Sequence, residues 1–159
     1  MQKVKQMENL DLFECKKFRS VYLAAETETE YTGEPILTPE IAAEFIRPFY
    51  GKTIQTIEKV YLLCLSTSKR PVTVAQVSVG GIDAAIVEPR IVAKIAIDSL
   101  AKSVILFHNH PTGNLTASNN DLRLTEKVKK TLEIFQCSLD DHIILTENGH
   151  SSLRGLCKL

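Results

Sequence analysis

The sequence predicts an α/β fold, a mixed β-sheet flanked by helices. Three observations carry this: two consecutive strand-like runs joined by the turn-like STSKRP, an unbroken apolar run SVILF at 103–107, and three stretches whose apolar residues recur at helical spacing. A chain of 159 residues, 44% of them hydrophobic, can bury one sizeable core and hardly two. A single domain over residues 39–159 is therefore expected, preceded by a partly irregular extension over 1–38.

The extension is charged, and its Glu26-Thr-Glu-Thr-Glu30 tract is too polar to enter a core. Residues 19–25 are a weak strand candidate. Thr38-Pro39-Glu40 then opens the first helix. Thr38 suits the N-cap and Pro39 the first helical position, while Ile41, Ala42, Phe45, Ile46 and Phe49 form one apolar stripe. Pro48 and Gly51 are expected to close it. The runs at 59–66 and 72–79 follow, rich in β-branched and large apolar residues, as an antiparallel hairpin ended by Gly80-Gly81.

After Glu88-Pro89-Arg90, the positions Ile91, Val92, Ile95, Ala96 and Leu100 predict a helix ending near Ala101. SVILF reads as a buried central strand, halted by the turn-rich HNHPTG. A third helix is expected over 118–135, a further strand over 141–146, and a short terminal segment SSLRGL. No internal repeat is visible.

Composition excludes several classes. Lys and Arg number 19, as do Asp and Glu, so no overall basic field draws the chain to nucleic acid or anionic lipid. The longest apolar runs, 60–65 and 104–107, fall far short of the roughly 20 residues that cross a bilayer. The first residues lack the continuous apolar segment of a secretory signal, which makes a cytoplasmic location the expectation. Cys15, Cys64, Cys137 and Cys157 are scattered without a CxxC pair and read as reduced thiols, Cys64 as a small buried hydrophobe.

The chemistry concentrates in His108-Asn-His110-Pro followed by Ser118-Asn-Asn-Asp121. Histidines at i and i+2 on extended backbone project to one side, where both rings reach one ion. Asp121, on the first turn of a helix and returned by a Gly- and Asn-containing loop, supplies a third ligand. Two histidines and one carboxylate with a vacant position is the arrangement of catalytic rather than structural zinc. Ordinary alternatives stand beside this, since HxH occurs at strand ends without metal and S-x-x-D is also a capping box. Ser118 can serve both purposes.

These residues, HNHPTGNLTASNND, closely resemble the JAMM (MPN-type) metalloprotease motif in the form found in RadC-like proteins. VGGIDAAIVEPRIVAKIAI, LRLTEKVKK and Asp141-His142-Ile-Ile resemble successive segments of the same family, so the likeness extends from about 57 to 156. It implies the three-layer JAB/MPN (cytidine-deaminase-like) fold and a zinc metallopeptidase hydrolysing an amide, peptide or isopeptide bond. By that resemblance His108, His110 and Asp121 hold Zn²⁺, which lowers the pKa of bound water. Glu58, just before the strand VYLLCLS, aligns with the family's general base, and Ser118 with the donor to the oxyanion.

His142 recurs in the family but reads as a structural histidine rather than a ligand, and His150 as an exposed turn residue. Asn109 should point away from the metal and tie the loop to backbone. Asn114-Leu-Thr116 matches a glycosylation sequon that a cytoplasmic chain leaves idle. The sequence departs from the family in reading PTG for PSG, Ala117 before Ser118 where proline is frequent, and Ile91 where many members carry glutamate.

The expected partner is a peptide or protein-conjugate substrate, with no membrane. Two other functions stay open: a nucleic-acid or DNA-repair accessory module, suggested by the family's historical name, and a noncatalytic scaffold. The first would use a stripe of Arg123, Lys127, Lys129 and Lys130. The second is opposed by the intact ligand set. The helix-hairpin-helix region of longer RadC proteins has no counterpart in the first 50 residues.

Overall fold

A computed structural model describes residues 33–80, 87–157 and 159. The weak strand at 19–25, the acidic tract at 26–30, Cys15 and Gly81 lie outside them. The elements run α1 (Pro39–Tyr50), a short 3-10 turn (Gly51–Thr53), β1 (Lys59–Leu65), β2 (Pro71–Val79), α2 (Pro89–Asp98), β3 (Ser103–Asn109), α3 (Asn119–Glu133), β4 (Ser138–Leu145) and β5 (His150–Ser152).

Among the described residues five strands form one sheet in the order β2-β1-β3-β4-β5. β3 lies at the centre, antiparallel to β1 and parallel to β4, so the sheet is mixed. β3 is buried along its whole length, which is why its sequence reads as a continuous apolar run.

Strand alternation divides the core into two layers. Ile105 and Phe107 face one side with Tyr61, Leu63, Leu65, Ile143 and Leu145, covered by Ala42, Ala43, Ile46 and Tyr50 of α1. Val104 and Leu106 face the other with Val60, Leu62 and Cys64, covered by Val92 and Ala96 of α2 and Val128 and Leu132 of α3. The result is the expected three-layer α/β arrangement, one helix on one face and two on the other. The numbering has a consequence for the site: His108, being even, projects to the α2/α3 face, and Asn109 to the α1 face.

α1 ends at Tyr50 before Gly51 as expected, with Pro48 inside its last turn. A proline near the last turn removes only one backbone bond, and Gly51, with φ 52°, makes the break. Other element ends differ from the sequence expectation. α2 stops at Asp98 because Leu100 takes a left-handed φ of 49° and the Ala101 N–H bonds back to the Ala96 carbonyl at 2.9 Å. The terminal SSLRGL segment contributes Ser151 and Ser152 to an edge strand, β5, paired antiparallel with β4. Three residues are too few to show a periodicity. His150 begins that strand half-buried, 3.9 Å from Glu40, and is not the exposed turn residue expected.

Arg47 of α1 donates to the carbonyls of Thr146, Glu147 and Gly149 at 2.7, 3.0 and 3.1 Å, fixing the β4–β5 turn to the helix. Cys64 is fully buried and Cys137 nearly so; both are free thiols, as is the exposed Cys157. No described helix is long and apolar enough to cross a membrane.

Candidate metal centre

The strand that carries His108 is one turn of the pleat longer than SVILF: His108 and Asn109 belong to β3, and the His110 N–H extends the ladder by donating to the Leu145 carbonyl at 2.8 Å. His108 and His110 thus keep the two-residue repeat that puts both rings on the α2/α3 side. The chain then turns back, with Gly113 N–H on the His110 carbonyl at 3.0 Å and Gly113 at a φ of 81° that suits glycine. The loop delivers residue 118 to the start of α3.

At that start Ser118 and Asp121 form a capping box: the Asp121 N–H donates to Ser118 Oγ at 3.1 Å and the Ser118 N–H to Asp121 Oδ2 at 2.7 Å. The cap and the ligand role are compatible, because Oδ2 serves the cap while Oδ1 lies 3.3 Å from His108 Nε2. Oδ2 is also 3.6 Å from His110 Nε2, and the two Nε2 atoms are 2.7 Å apart. One ligand atom from each of His108, His110 and Asp121 falls within 4.8 Å of the others, so the three can hold a metal ion.

The donor chemistry fits a cation. His110 Nδ1 lies 2.6 Å from the Asn114 carbonyl oxygen, which can only accept, so Nδ1 carries the hydrogen and Nε2 of the neutral ring is a bare lone pair. That lone pair faces a carboxylate and another imidazole nitrogen. Only a proton or a metal ion relieves such a meeting of acceptors. Asn114, matched to an idle sequon by sequence, therefore has a use: its carbonyl sets the His110 tautomer, and its side chain accepts from the Thr116 N–H at 2.9 Å.

Ionisation follows the same geometry. The hydrogen bond with Asp121 raises the His110 pKa, burial opposes it, and the Asn114 carbonyl and the charges of Asp121 and Glu58 support the rise. Burial works against the Asp121 carboxylate, yet the bond from His110, the charge of His108 and the two Ser118 bonds hold its pKa well below the usual carboxylate range. His108, 3% exposed, is pushed down to about 4 by burial. His142, fully buried, is pushed well below its ordinary value for the same reason.

A pH dependence of stability results for the metal-free protein. The unfolded chain takes up protons at His108 and His142 from about pH 6.5 downward, whereas the folded chain refuses them. Stability is therefore complete above that pH and falls as the pH drops towards 4, by about 2 kcal/mol at about pH 5 for His108 alone. His110 and Asp141, both raised, have the opposite sign and offset part of this. Urea unfolding in EDTA is expected to show a lower midpoint at about pH 5 than at about pH 7. An unchanged midpoint would contradict the burial of neutral imidazoles.

Glu58 precedes β1 and is half-buried. Val60 pairs with His108, and two residues earlier the charge of Glu58 reaches His110, whose pKa it helps to raise. Its carbonyl accepts from the Gly80 N–H at 2.8 Å. Asn109 points away from the histidines as expected, and its side chain clamps the segment carrying Glu58. Its Oδ1 accepts from the Lys59 N–H at 2.8 Å, and its Nδ2 donates to the carbonyls of Ile54 and Ile57 at 2.7 and 2.9 Å. Ser118 Oγ accepts from the Asp121 N–H in the cap, and the hydroxyl is one of the two Ser118 groups whose bonds lower the Asp121 pKa.

A family model described as RadC-like JAB domain matches residues 36–158. The chain belongs to the RadC-like JAB family. Among curated relatives of this RadC-like domain, the UPF0758 protein of Fusobacterium nucleatum is 38% identical over 117 residues, 74% of this chain and 50% of that protein. The UPF0758 protein of Flavobacterium johnsoniae is 39% identical over 117 residues, again 74% of this chain and 50% of the relative. A third, from Listeria monocytogenes, is 34% identical over 126 residues, 79% of this chain and 55% of the relative. The chain thus spans about half the length of the curated relatives it matches.

The side chains of His108, His110 and Asp121, singled out from the sequence, lie together; Thr125 was not singled out. Its Oγ1 donates to the Asp121 carbonyl at 2.6 Å and lies 2.6 Å from His142 Nδ1, whose ring in turn meets His108 Nδ1 through Nε2 at 2.7 Å. The signal was present: Thr125 stands four residues after Asp121 on the same helix face. Of the basic stripe considered for nucleic acid, Lys130 is paired with Glu126 at 2.8 Å.

Proposed function

We propose that this domain is a zinc-dependent hydrolase of amide, peptide or isopeptide bonds. The observation that carries the reading is the convergence of His108 Nε2, His110 Nε2 and an Asp121 carboxylate oxygen into a set of acceptors that a cation satisfies. Two imidazoles and one carboxylate suit zinc and leave it open to a further ligand, the arrangement of a hydrolytic rather than a structural site. A bound zinc ion would supply Lewis acidity, lowering the pKa of a coordinated water and polarising the scissile carbonyl.

The chain's own residues would do the rest. Glu58, whose charge reaches His110, accepts the proton of the attacking water and passes it to the leaving nitrogen. The Ser118 hydroxyl, at the start of α3 beside Asp121, donates to the oxygen of the attacked carbonyl as charge develops there. Asn109 keeps the Glu58 segment in register. Such a division of labour, in which the base stands on a strand and the oxyanion donor at a helix start, needs both elements fixed to β3.

The test is a zinc titration of the EDTA-stripped protein, followed by assay on a panel of linear and isopeptide-linked substrates. One tightly bound zinc and hydrolysis that appears with the metal support the reading. Failure to bind zinc at stoichiometric concentration would overturn it.

A further inference from the structure

We propose that Thr125 and His142 are positioning residues that lock His108 in the tautomer with Nε2 bare, so that the lone pair faces the metal site. The inference rests on the reading of His108 as a ligand, but its geometry stands apart from any ion. The contacts form a closed line of donors and acceptors, and one end is fixed. The Asp121 carbonyl oxygen can only accept, so the Thr125 hydroxyl, 2.6 Å away, spends its single hydrogen there. Thr125 Oγ1 must then act as acceptor toward His142 Nδ1, also at 2.6 Å, which puts the His142 hydrogen on Nδ1.

The consequence passes across the ring. A neutral His142 with hydrogen on Nδ1 offers a lone pair at Nε2, and His108 Nδ1, 2.7 Å away, must be the donor. His108 Nε2 is thereby left without hydrogen and aimed at His110 Nε2 and Asp121. The opposite assignment is inconsistent: hydrogen on His108 Nε2 would reverse each bond and bring the Thr125 hydroxyl hydrogen away from a carbonyl oxygen that has approached to 2.6 Å.

Burial makes the line stringent, because His142 is fully buried and Thr125 is 2% exposed, so water does not substitute for a missing partner. Both histidine ligands thus take their tautomer from a backbone carbonyl: His110 directly from Asn114, and His108 through two side chains from Asp121. Since Asp121 also offers its carboxylate to the same ion, the first turn of α3 both supplies a ligand and sets the hydrogen position of another. Partners of this kind typically change metal affinity about 10- to 100-fold when removed.

The experiment uses the full chain. Long-range ¹H–¹⁵N correlation of the histidine rings in the metal-free protein at mildly alkaline pH reports the tautomer, and competition of zinc against a chromophoric chelator reports affinity. Wild type is expected to show hydrogen on Nδ1 of both His108 and His142. Thr125→Val, near-isosteric, is expected to mix the tautomers and weaken zinc binding about 10-fold or more, while Thr125→Ser restores both. His142→Gln, whose amide oxygen still accepts from His108 Nδ1, should retain more affinity than His142→Phe. Hydrogen on Nε2 of His108 in wild type, or a folded Thr125→Val with unchanged tautomers and zinc affinity within about twofold, would overturn the proposal. Wild type with the expected tautomers but no zinc binding would instead overturn the metal-site reading on which it rests.

Discussion

Glu58→Gln is expected to keep zinc at the wild-type stoichiometry while lowering kcat by about 10²- to 10⁴-fold on any amide or isopeptide substrate that the wild type cleaves. Glutamine preserves the shape of the side chain and the Gly80–Glu58 backbone bond, and removes only the capacity to take a proton. KM should change little, because a base acts in the transition state rather than in substrate binding. The measurements are metal content by atomic emission and steady-state rates on the same preparation. Full turnover would show that another group is the base. Lost zinc would show that Glu58 is a ligand.

His110→Ala is expected to release the metal. One of three protein ligands disappears, a larger loss than the about 10- to 100-fold typical of outer partners, so dialysed protein should carry little zinc. The fold should survive, since His110 is only half-buried at the end of β3 and the backbone bond from its N–H to Leu145 is kept. A stability readout separates the two effects. Zinc at 100 times its dissociation constant should stabilise wild type by about 2.7 kcal/mol, a shift that the variant should lack. A variant that keeps stoichiometric zinc would remove His110 from the ligand set. His110→Ala is preferable to a change at Asp121, whose carboxylate also caps α3 and would cost helix stability on its own.

Most of the architecture was legible because it follows from local patterns. The N-cap Thr38 with Pro39, the hairpin around STSKRP and the continuous apolar run of β3 each express a short-range rule, and each element formed where its rule applies. Errors arose where a local signal competed with context. α2 was expected to run to near Ala101, but Leu100 takes a left-handed φ of 49° and the helix ends at Asp98. β5 has three residues and exists because β4 presents an edge to pair with, a circumstance no window of sequence contains. His150 became half-buried for the same reason.

The sequence by itself determined which side chains gather. The i, i+2 spacing of His108 and His110 and the first-turn place of Asp121 follow from strand and helix periods, which are properties of the backbone. The tertiary structure alone decided how those groups are held. His142 comes from a different strand and Thr125 from a helix, and they meet His108 only because β4 lies parallel to β3 and α3 covers the same face. The hydrogen on a ring nitrogen depends on the atom opposite it, and that atom is fixed by packing between distant segments rather than by neighbours along the chain.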